Sequence, residues 1–468
     1  MHENLLLIED LRTFLKPEQI LSDRDSLIFY GRDWIKDFEP RPSVIVFPET
    51  TDEVAQIIRA CAARNVAVVP SGGRTGLSGG ATACNGEVVV SLERMRRIVE
   101  VSSIDRTMRC QAGVALERVQ LEAEKNGLYF PVDFSSRGSS HIGGNIATNA
   151  GGIRVIRYGN IRDWVVGLQV VTGTGEILNL NGSLFKNNTG LDLRGLFIGS
   201  EGLLGIITEC TLRLTTRPGE VVRVMCALTD VNAVLPLLSF CRSRLRDLSA
   251  FEFMEGSAAQ EVISRRSLRD PFANQYSTYV LVECEQNDPG SKELVESTFG
   301  EAYESGLIQD VVISNSVAQA QELMNIRDLI GETLASHYTL HKNDISVPVP
   351  TIPPFLAELH TSLADAYPHY RVLVFGHVGD GNLHINVLKP DDISDASFWE
   401  SCRESDERVF SVVTKYGGSI SAEHGVGMLK KEFLHHSRSA AEIALMRGIK
   451  AVFDPLGILN PGKVLPDC

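Results

Sequence analysis

The sequence has no apolar run long enough to span a bilayer, and its first residues lack the basic-then-apolar pattern of a secretory signal peptide. It has no Cys-x-x-Cys pair, and its nine cysteines lie far apart. Acidic residues outnumber basic ones, giving a formal net charge of −14, and the basic residues are scattered. These absences argue against a membrane-spanning protein, a disulfide framework and a nucleic-acid-binding surface. We expect free, mostly buried thiols and a cytoplasmic protein, with peripheral membrane association left open.

The composition is that of an ordinary globular protein, with 43% apolar and 22% charged residues. A chain of 468 residues is long enough for two or three domains, each with its own core. The informative features are therefore local motifs, of which glycine-rich segments and histidines are the most distinctive.

The first glycine-rich segment, Pro70–Gly80, follows a predicted β-α-β unit. Residues 43–47 and 66–69 have the pattern of strands, and Thr50 and Glu53 between them have capping-box spacing. A glycine-rich loop lets backbone N–H groups approach a polyanion, although a flexible turn is the alternative. A Rossmann motif is disfavoured, because Ser71 occupies the position of its first glycine.

Two further segments, 139–152 and 199–207, combine glycine with small or apolar residues. Such residues over this length indicate backbone packed tightly against something large and flat, and the interspersed Ile and Ala make a flexible linker a poor explanation. Three such segments in one region predict one extended cofactor that several loops hold.

A histidine lies on each side of Asp380-Gly381, a dipeptide typical of two-residue hairpin loops. If these residues form the loop, His377 lies directly opposite His384, on one face of the hairpin. Asn386 points to the same face because side chains alternate along a strand. We therefore predict that both imidazoles bind one metal ion.

A third metal ligand could come from the downstream segment 421–427, which contains Glu423 and His424. Two imidazoles and a carboxylate form an open, catalytic type of metal site. The same set serves zinc enzymes and non-haem iron oxygenases, so the residues alone leave the metal open.

Together these motifs resemble the flavin-dependent oxidoreductases of the vanillyl-alcohol-oxidase type, and among them the D-2-hydroxyacid dehydrogenases. The resemblance covers about residues 41–463. The fold it implies is α+β: a p-cresol methylhydroxylase-type FAD-binding domain, a ferredoxin-like antiparallel substrate domain and a C-terminal helical segment. We predict an N-terminal segment at 1–37, the FAD-binding domain at 38–217, the substrate domain with the metal site at 218–425, and the C-terminal segment at 426–468, packed on the FAD domain. The motifs that carry the resemblance are the Pro70–Gly80 loop, residues 110–113, 143–152 and 199–207, the His377 hairpin, residues 421–427, and Asn460-Pro461-Gly462-Lys463.

The resemblance also implies which residues hold FAD. Because no histidine occurs in the sequence near the phosphate loop, we expect the FAD to be bound without a covalent link. The implied residues are Ser71, Gly72, Gly73, Arg74, Thr75 and Gly76 around the pyrophosphate, and Pro131, Asp133, Ser139, Gly143, Asn145, Thr148, Ile207 and Asn460 around the rest of the cofactor.

For the metal the resemblance implies zinc, bound by His377, His384 and Glu423. It further implies that Asn386 touches the substrate and that His424 is the base. Adjacent side chains in a regular strand would point apart, so this division of labour between residues 423 and 424 requires the irregular backbone that Gly425 and Gly427 permit.

Arg327 falls within the apolar stripe of a predicted helix that runs from Ser316 to about Ala335. It could extend its stem over the core or turn inward to bind a carboxylate. The resemblance implies the second role, with Arg327 and Lys342 binding the distal carboxylate of D-2-hydroxyglutarate. Gly331 stands where these enzymes usually have a hydroxyl side chain, which leaves D-malate as another substrate.

Alternatives remain at this point. A D-lactate dehydrogenase or glycolate oxidase-type enzyme would share the fold, a metal enzyme without flavin would use only the His/His/Glu set, and a nucleotide-binding module would use only the glycine-rich loops. Relatives imply an electron-transfer flavoprotein or a quinone as electron acceptor, and a homodimer as one assembly.

Overall fold

The computed structural model describes residues 2–467 and divides the chain into two compact units. Unit 1 comprises residues 1–152, 160–217 and 423–468, and unit 2 comprises residues 153–159 and 218–422. Within the described residues, no helix is both long and apolar enough to cross a membrane. The eight described cysteines are free, and all except Cys84 are buried.

The strands of both units are numbered in chain order. They are β1 (Ile20–Leu21), β2 (Val44–Val46), β3 (Val68–Ser71), β4 (Val88–Ser91), β5 (Ile98–Ser102), β6 (Thr107–Gln111), β7 (Leu128–Tyr129), β8 (Val165–Val171), β9 (Ile177–Leu180), β10 (Ile206–Arg213), β11 (Thr215–Thr216), β12 (Val221–Leu228), β13 (Leu248–Glu255), β14 (Thr278–Glu285), β15 (Asp310–Ile313), β16 (Leu340–Ser346), β17 (Arg371–Gly376) and β18 (Asn382–Leu388).

The α-helices are numbered in the same way. They are α1 (His2–Leu11), α2 (Arg24–Tyr30), α3 (Thr51–Ala63), α4 (Leu116–Lys125), α5 (Ile142–Ala147), α6 (Val155–Tyr158), α7 (Arg194–Phe197), α8 (Val234–Arg244), α9 (Gly256–Arg265), α10 (Ser291–Glu304), α11 (Val317–Asp328), α12 (Ile330–His337), α13 (Ile352–Ala366), α14 (Asp395–Lys415) and α15 (Ala440–Phe453).

Unit 1 contains a four-stranded sheet in the order β1-β2-β4-β3, in which β2, β4 and β3 are parallel. Helix α3 crosses from β2 to β3 and is capped by Thr50, whose Oγ1 accepts a hydrogen bond from the Glu53 backbone N–H at 3.2 Å. Its inward face buries Val54, Ile57 and Ile58 completely. This β-α-β arrangement places the loop after β3 at the carboxyl end of parallel strands, where α/β sheets bind ligands.

The second sheet of unit 1 is antiparallel, in the order β5-β6-β10-β8-β9. The C-terminal residues return to the first sheet: the Asn460 backbone N–H donates to the Val68 carbonyl at 2.7 Å. Helix α15 packs in the same unit, with its Phe453 ring 5.1 Å from the ring of Phe197. The C-terminal segment is thus an integral part of unit 1.

Unit 2 is built on a seven-stranded antiparallel sheet in the order β15-β12-β14-β13-β17-β18-β16. The first four strands have the order expected for a ferredoxin-like fold, with α8 and α10 as the crossovers. Helices α9, α11 and α12 cover one face through a core that includes Met254, Leu323 and Phe375. The predicted α+β class and antiparallel substrate sheet are confirmed.

The predicted two-residue hairpin is wrong. Strands β17 and β18 pair only as far as Phe375 with His384, so His377 lies in the five-residue loop 377–381 rather than opposite His384. The backbone N–H groups of Asp380 and Gly381 both donate to the His377 carbonyl, which makes a wider turn. Only Gly381 of the dipeptide has a positive φ, whereas the predicted turn needs two such residues.

The helix predicted from Ser316 to about Ala335 is interrupted. Ser316 caps α11 as predicted, with its Oγ accepting from the Gln319 backbone N–H at 3.2 Å. Helix α11 ends at Asp328, and α12 starts at Ile330 after a break at Leu329. Arg327 consequently lies in the last turn of α11, and its side chain is buried.

Residues 153–159 belong to unit 2, although residues on both sides belong to unit 1. Arg154 donates to the buried carboxylate of Glu283 at 2.8 Å, and Arg157 forms an ion pair with Glu285 at 2.9 Å. A second arginine, Arg223, contacts Glu283 at 2.8 Å. Burial raises the pKa of Glu283, but the charges and hydrogen bonds of Arg154 and Arg223 together outweigh it and lower the pKa to about 2. Ion pairs therefore fasten this short segment to the sheet of unit 2.

Candidate active site

A cleft in unit 1, called the glycine-lined cleft below, is formed by all three glycine-rich segments. It lies at the carboxyl end of β3, and α5 and the start of β10 form other parts of its wall. Of the residues predicted to hold a cofactor or to act as base, the following line it: Ser71, Gly72, Gly73, Arg74, Thr75, Gly76, Gly143, Asn145, Thr148, Ile207, Glu423 and His424.

The four other predicted cofactor residues lie behind this lining. The Ser139 carbonyl fills the space in which Gly73 would carry a Cβ atom, and the Asp133 carbonyl does the same at Gly152. Asn460 donates from Nδ2 to the carbonyl of Gly80 at 2.9 Å. The fourth residue, Pro131, is buried and, like the other three, does not line the cleft.

Several buried polar atoms around the cleft lack a hydrogen-bond partner among residues 2–467. They are Asp33 Oδ2, Ser71 Oγ, Arg74 Nη1, His141 Nδ1 and Asn460 Oδ1. An unpaired buried donor or acceptor costs about 1–3 kcal/mol, so such atoms are rare unless a ligand uses them. Together with glycine backbone that approaches closely, they fit a polar, anionic cofactor in this cleft.

His141 corrects an expectation from the sequence, which places no histidine beside the phosphate loop. In space a Cβ atom on Gly72 would lie 3.5 Å from His141 Cβ and 3.8 Å from Nδ1. Burial, and then the charge of Arg74, lower the pKa of His141 to about 4, so its ring is neutral at pH 7. Sequence distance concealed this neighbour, because 69 positions separate it from Gly72.

Glu201 fixes the segment that carries Glu423 and His424. Its carboxylate accepts hydrogen bonds from the backbone N–H groups of Val426 at 2.8 Å and Gly427 at 2.9 Å. Burial raises the pKa of Glu201 to about 7, although these hydrogen bonds and Lys430 lower it. Glu201 also lines the cleft, and the sequence analysis did not single it out.

The backbone after Ala422 is irregular, with positive φ at Gly425 and Gly427. Glu423 and His424 consequently both line the cleft instead of pointing apart. Their side chains are close, with His424 Nε2 lying 3.7 Å from Glu423 Oε1.

In unit 2, the rings of His377 and His384 lie 5.4 Å apart although the predicted strand register is wrong. Each ring has a carboxylate beside Nδ1: Glu252 lies 2.8 Å from that atom of His377, and Asp344 lies 3.6 Å from that of His384. Metal-binding histidines usually donate the other ring N–H to such a carboxylate, which directs Nε2 toward the metal. At His377 this contact fits a metal ion on the Nε2 side, whereas the 3.6 Å at His384 is too long for a hydrogen bond.

Arg327, in helix α11, packs over the face of the unit 2 sheet that carries Phe375 and His384. Its guanidinium carbon is 4.8 Å from the Phe375 ring centre, and Nε is 2.8 Å from Glu252 Oε2. That contact is an ion pair without hydrogen-bond alignment, so Nε–H and the Nη2 donors have no aligned acceptor in the part of the chain described. A side chain 6% exposed with unused donors fits an anionic ligand.

Lys342 and Asn386 are register partners on β16 and β18, two residues beyond the pair Asp344 and His384. The side chains of Lys342 and Asn386 therefore lie on the same face of the sheet as those of Asp344 and His384. Asn386 is buried and donates to the Leu373 carbonyl at 3.3 Å, whereas Lys342 is exposed. The structure thus brings the predicted substrate residues of unit 2 together on one face.

Comparison with known proteins gives the family. Residues 42–181 match the model of an FAD binding domain, and residues 217–464 match that of the C-terminal domain of FAD linked oxidases. D-2-hydroxyglutarate dehydrogenase of Stutzerimonas stutzeri is 49% identical over 98% of both chains. The mitochondrial D-2-hydroxyglutarate dehydrogenase of Danio rerio is 36% identical over 98% of this chain and 85% of its own.

The chain belongs to the FAD-linked oxidases.

Within that family it is an FAD-dependent oxidoreductase of the D-2-hydroxyacid dehydrogenase group. Solved structures show the same fold: p-cresol methylhydroxylase with substrate bound has a TM-score of 0.80 at 15% identity, covering 100% of this chain and 98% of its own. A 4-ethylphenol oxidase from Gulosibacter chungangensis, in complex with isoeugenol, has a TM-score of 0.78 at 18% identity with the same coverage. The glycine-lined cleft and its unused polar atoms fit the FAD of this family.

Two adjacent glycines of α5 give a matched test of the cleft. A Cβ atom on Gly143 would lie 2.5 Å from the Ala112 Cβ, whereas one on Gly144 would meet no atom within 4 Å and would project into the cleft. We expect Gly143→Ala to lower the unfolding free energy by about 1–3 kcal/mol. Gly144→Ala should leave the fold intact and weaken FAD binding. Melting of the apoprotein and FAD titration separate the two effects, and equal behaviour of both variants would contradict this placement.

The raised pKa of Glu201 predicts a pH-dependent stability. Ionisation is disfavoured in the folded state, so the stability contribution of Glu201 is complete below about pH 4.5 and is lost as pH rises through about 7. Compared with Glu201→Gln, the wild-type unfolding free energy should fall across this window, by about 3 kcal/mol at most. Urea unfolding of both proteins between pH 4.5 and 8 measures the difference. Parallel pH profiles would show that Glu201 does not titrate there.

Proposed function

We propose that the protein oxidises D-2-hydroxyglutarate to the 2-oxoacid, with FAD as the hydride acceptor. The observation that carries this proposal is the buried Arg327, whose Nη2 donors have no aligned acceptor among the described residues. Its guanidinium lies beside Phe375, the register partner of His384, over the sheet face that also carries Asn386. A substrate with a second carboxylate supplies an acceptor for the Nη2 donors, while Glu252 keeps its contact with Nε. Two relatives that match nearly the whole chain carry the name D-2-hydroxyglutarate dehydrogenase, which supports the same substrate.

D-malate is proposed as a second substrate, because Gly331 stands where the related enzymes usually have a hydroxyl side chain. A Cβ atom there would meet nothing within 4 Å, so the position adds no side chain that could hydrogen-bond a distal carboxylate. Arg327 and Lys342 are then the cationic groups proposed to bind that carboxylate. D-lactate and glycolate have no distal carboxylate and leave both groups unused, which makes those acids the less favoured substrates.

The proposed metal is zinc, with His377 and His384 as ligands through Nε2. Support comes from the carboxylate of Glu252, 2.8 Å from His377 Nδ1, and from the 5.4 Å that separates the two imidazole rings. Glu423 remains the predicted third ligand, which gives the two-histidine, one-carboxylate set of an open catalytic site.

In the proposed mechanism, bound FAD supplies hydride acceptance and bound zinc supplies Lewis acidity toward the α-hydroxyl and α-carboxylate. Arg327 and Lys342 fix the distal carboxylate, and Asn386 orients the reacting end of the acid. His424 removes the hydroxyl proton. Glu201 keeps His424 at the cleft by holding the backbone of the next residues.

As the final electron acceptor of the reaction, an electron-transfer flavoprotein or a quinone is proposed. FAD is proposed to be held without a covalent bond. His141 is the histidine to examine for such a bond, because its Nδ1 borders the phosphate loop. Acid precipitation of the protein should release all the flavin.

The test is the absorbance of purified protein, followed anaerobically while D-2-hydroxyglutarate, D-malate or D-lactate is added. We expect a flavin band that D-2-hydroxyglutarate bleaches fastest and D-lactate slowest. His424→Ala should retain flavin and metal but bleach roughly 10²–10⁴-fold more slowly, as expected for loss of a general base.

Each outcome has a definite meaning. A flavin band that none of the three acids bleaches would exclude the substrate class, and a protein that remains colourless after addition of FAD would favour a metal enzyme without flavin. Bleaching of His424→Ala at the wild-type rate would remove His424 as the base.

Arg327→Ala tests the distal-carboxylate role. We expect kcat/KM for D-2-hydroxyglutarate to fall roughly 100-fold, about 3 kcal/mol, because a buried charge partner of the substrate is lost. The value for D-lactate should change little. Arg327→Lys is the matched variant: it keeps the charge but loses the planar fork, so its loss should be intermediate. Equal losses for the two acids would contradict the assignment.

A further inference from the structure

Glu252 is the only acidic residue between Ser249 and Met254, in the buried middle of β13. It is 1% exposed, and its neighbours on that face include Met254 and Leu281 of the apolar core under α9, α11 and α12. Burying a carboxylate costs several kcal/mol unless it is paired and hydrogen-bonded. A charged residue in this strand therefore needs specific partners.

Its partners are two proposed functional residues. Both carboxylate oxygens lie 2.8 Å from His377 Nδ1, and Oε2 also lies 2.8 Å from Arg327 Nε. The first contact fixes the proton on Nδ1 and leaves Nε2 as the nitrogen for a metal. The second contact holds the guanidinium by its Nε edge, so the Nη2 donors remain for another anion.

We propose that Glu252 is a positioning residue that couples metal binding to the choice of acid. This inference rests on the proposed function and deepens it. One carboxylate orients the metal ligand at one end of the substrate and the arginine for the distal carboxylate at the other. Removing it should therefore change zinc retention and acid selectivity together, although Glu252 is not one of the proposed metal or substrate ligands.

Substitutions of Glu252 separate its two contacts. In Glu252→Ala both contacts are lost. In Glu252→Gln the amide oxygen can still accept from His377 Nδ1, but the amide N–H₂ replaces an acceptor beside Arg327. The alanine variant should thus affect both properties, and the glutamine variant should affect mainly the selectivity.

Glu255→Gln is the matched control on the same strand. Glu255 also pairs with a histidine, His360, at 2.6 Å, and accepts from the Val374 backbone N–H at 2.8 Å. Its odd spacing from Glu252 places it on the opposite face of the sheet. This variant therefore reports the general cost of altering a carboxylate–histidine pair in β13.

The experiment uses the FAD-loaded protein. Zinc per flavin is measured by mass spectrometry after dialysis against a series of EDTA concentrations, and kcat and KM are measured for D-2-hydroxyglutarate and D-lactate with a dye acceptor. We expect Glu252→Ala to lower zinc affinity 10- to 100-fold, as for other residues that orient metal ligands, and to lower the ratio of kcat/KM for the two acids at least tenfold. Glu252→Gln should keep zinc affinity within about threefold and lower the ratio through KM for the dicarboxylate.

Glu252→Ala with zinc affinity and acid ratio both within about twofold of wild type would overturn the inference. So would losses in the Glu252 variants that Glu255→Gln reproduces, since these would reflect the stability of the strand. Failure of the proposed function looks different, because wild-type protein would then hold no zinc and show no preference for the dicarboxylate. The inference would fall with it.

Discussion

Buried carboxylates need partners, and in this protein those partners include the functional side chains and the segments that carry them. Glu201 accepts two backbone hydrogen bonds from the segment after His424, and Glu252 contacts both His377 and Arg327. Glu283 holds Arg154 of the short segment that returns to unit 2. The contacts of these buried carboxylates thus hold functional side chains, and the segments that carry them, in defined positions outside the regular strands.

The sequence predicts features that depend on neighbouring residues. The capping residues Thr50 and Ser316 and the β-α-β unit ahead of Pro70 follow from local spacing and apolar periodicity. The ferredoxin-like order of β12–β15 is an expectation from the family resemblance. The sequence also predicts that the three glycine-rich segments share one cleft, because close approach of the backbone to a ligand requires residues without side chains. These elements carry the family resemblance and the flavin chemistry with it.

Features that depend on distant contacts could not be predicted in the same way. The Asp380-Gly381 dipeptide suggested a tight turn, but hydrogen bonds to the His377 carbonyl widen the loop and displace that histidine from the strand register. His141 and Glu252 reach their partners across 69 and 125 positions. For Glu252 the sequence does contain a clue, because a single acid inside the run Ser249–Met254 implies a buried partner.

The discontinuity of unit 1 has a consequence for biosynthesis. Asn460 donates a hydrogen bond to Gly80, 380 positions earlier, and its own backbone pairs with Val68. During translation the early strands of unit 1 cannot make these contacts until residues 423–468 have been synthesised. All residues of unit 2 are synthesised before that point. Vectorial synthesis therefore favours maturation of the substrate-binding half before the flavin-binding half, and FAD can select only chains whose last segment has emerged from the ribosome.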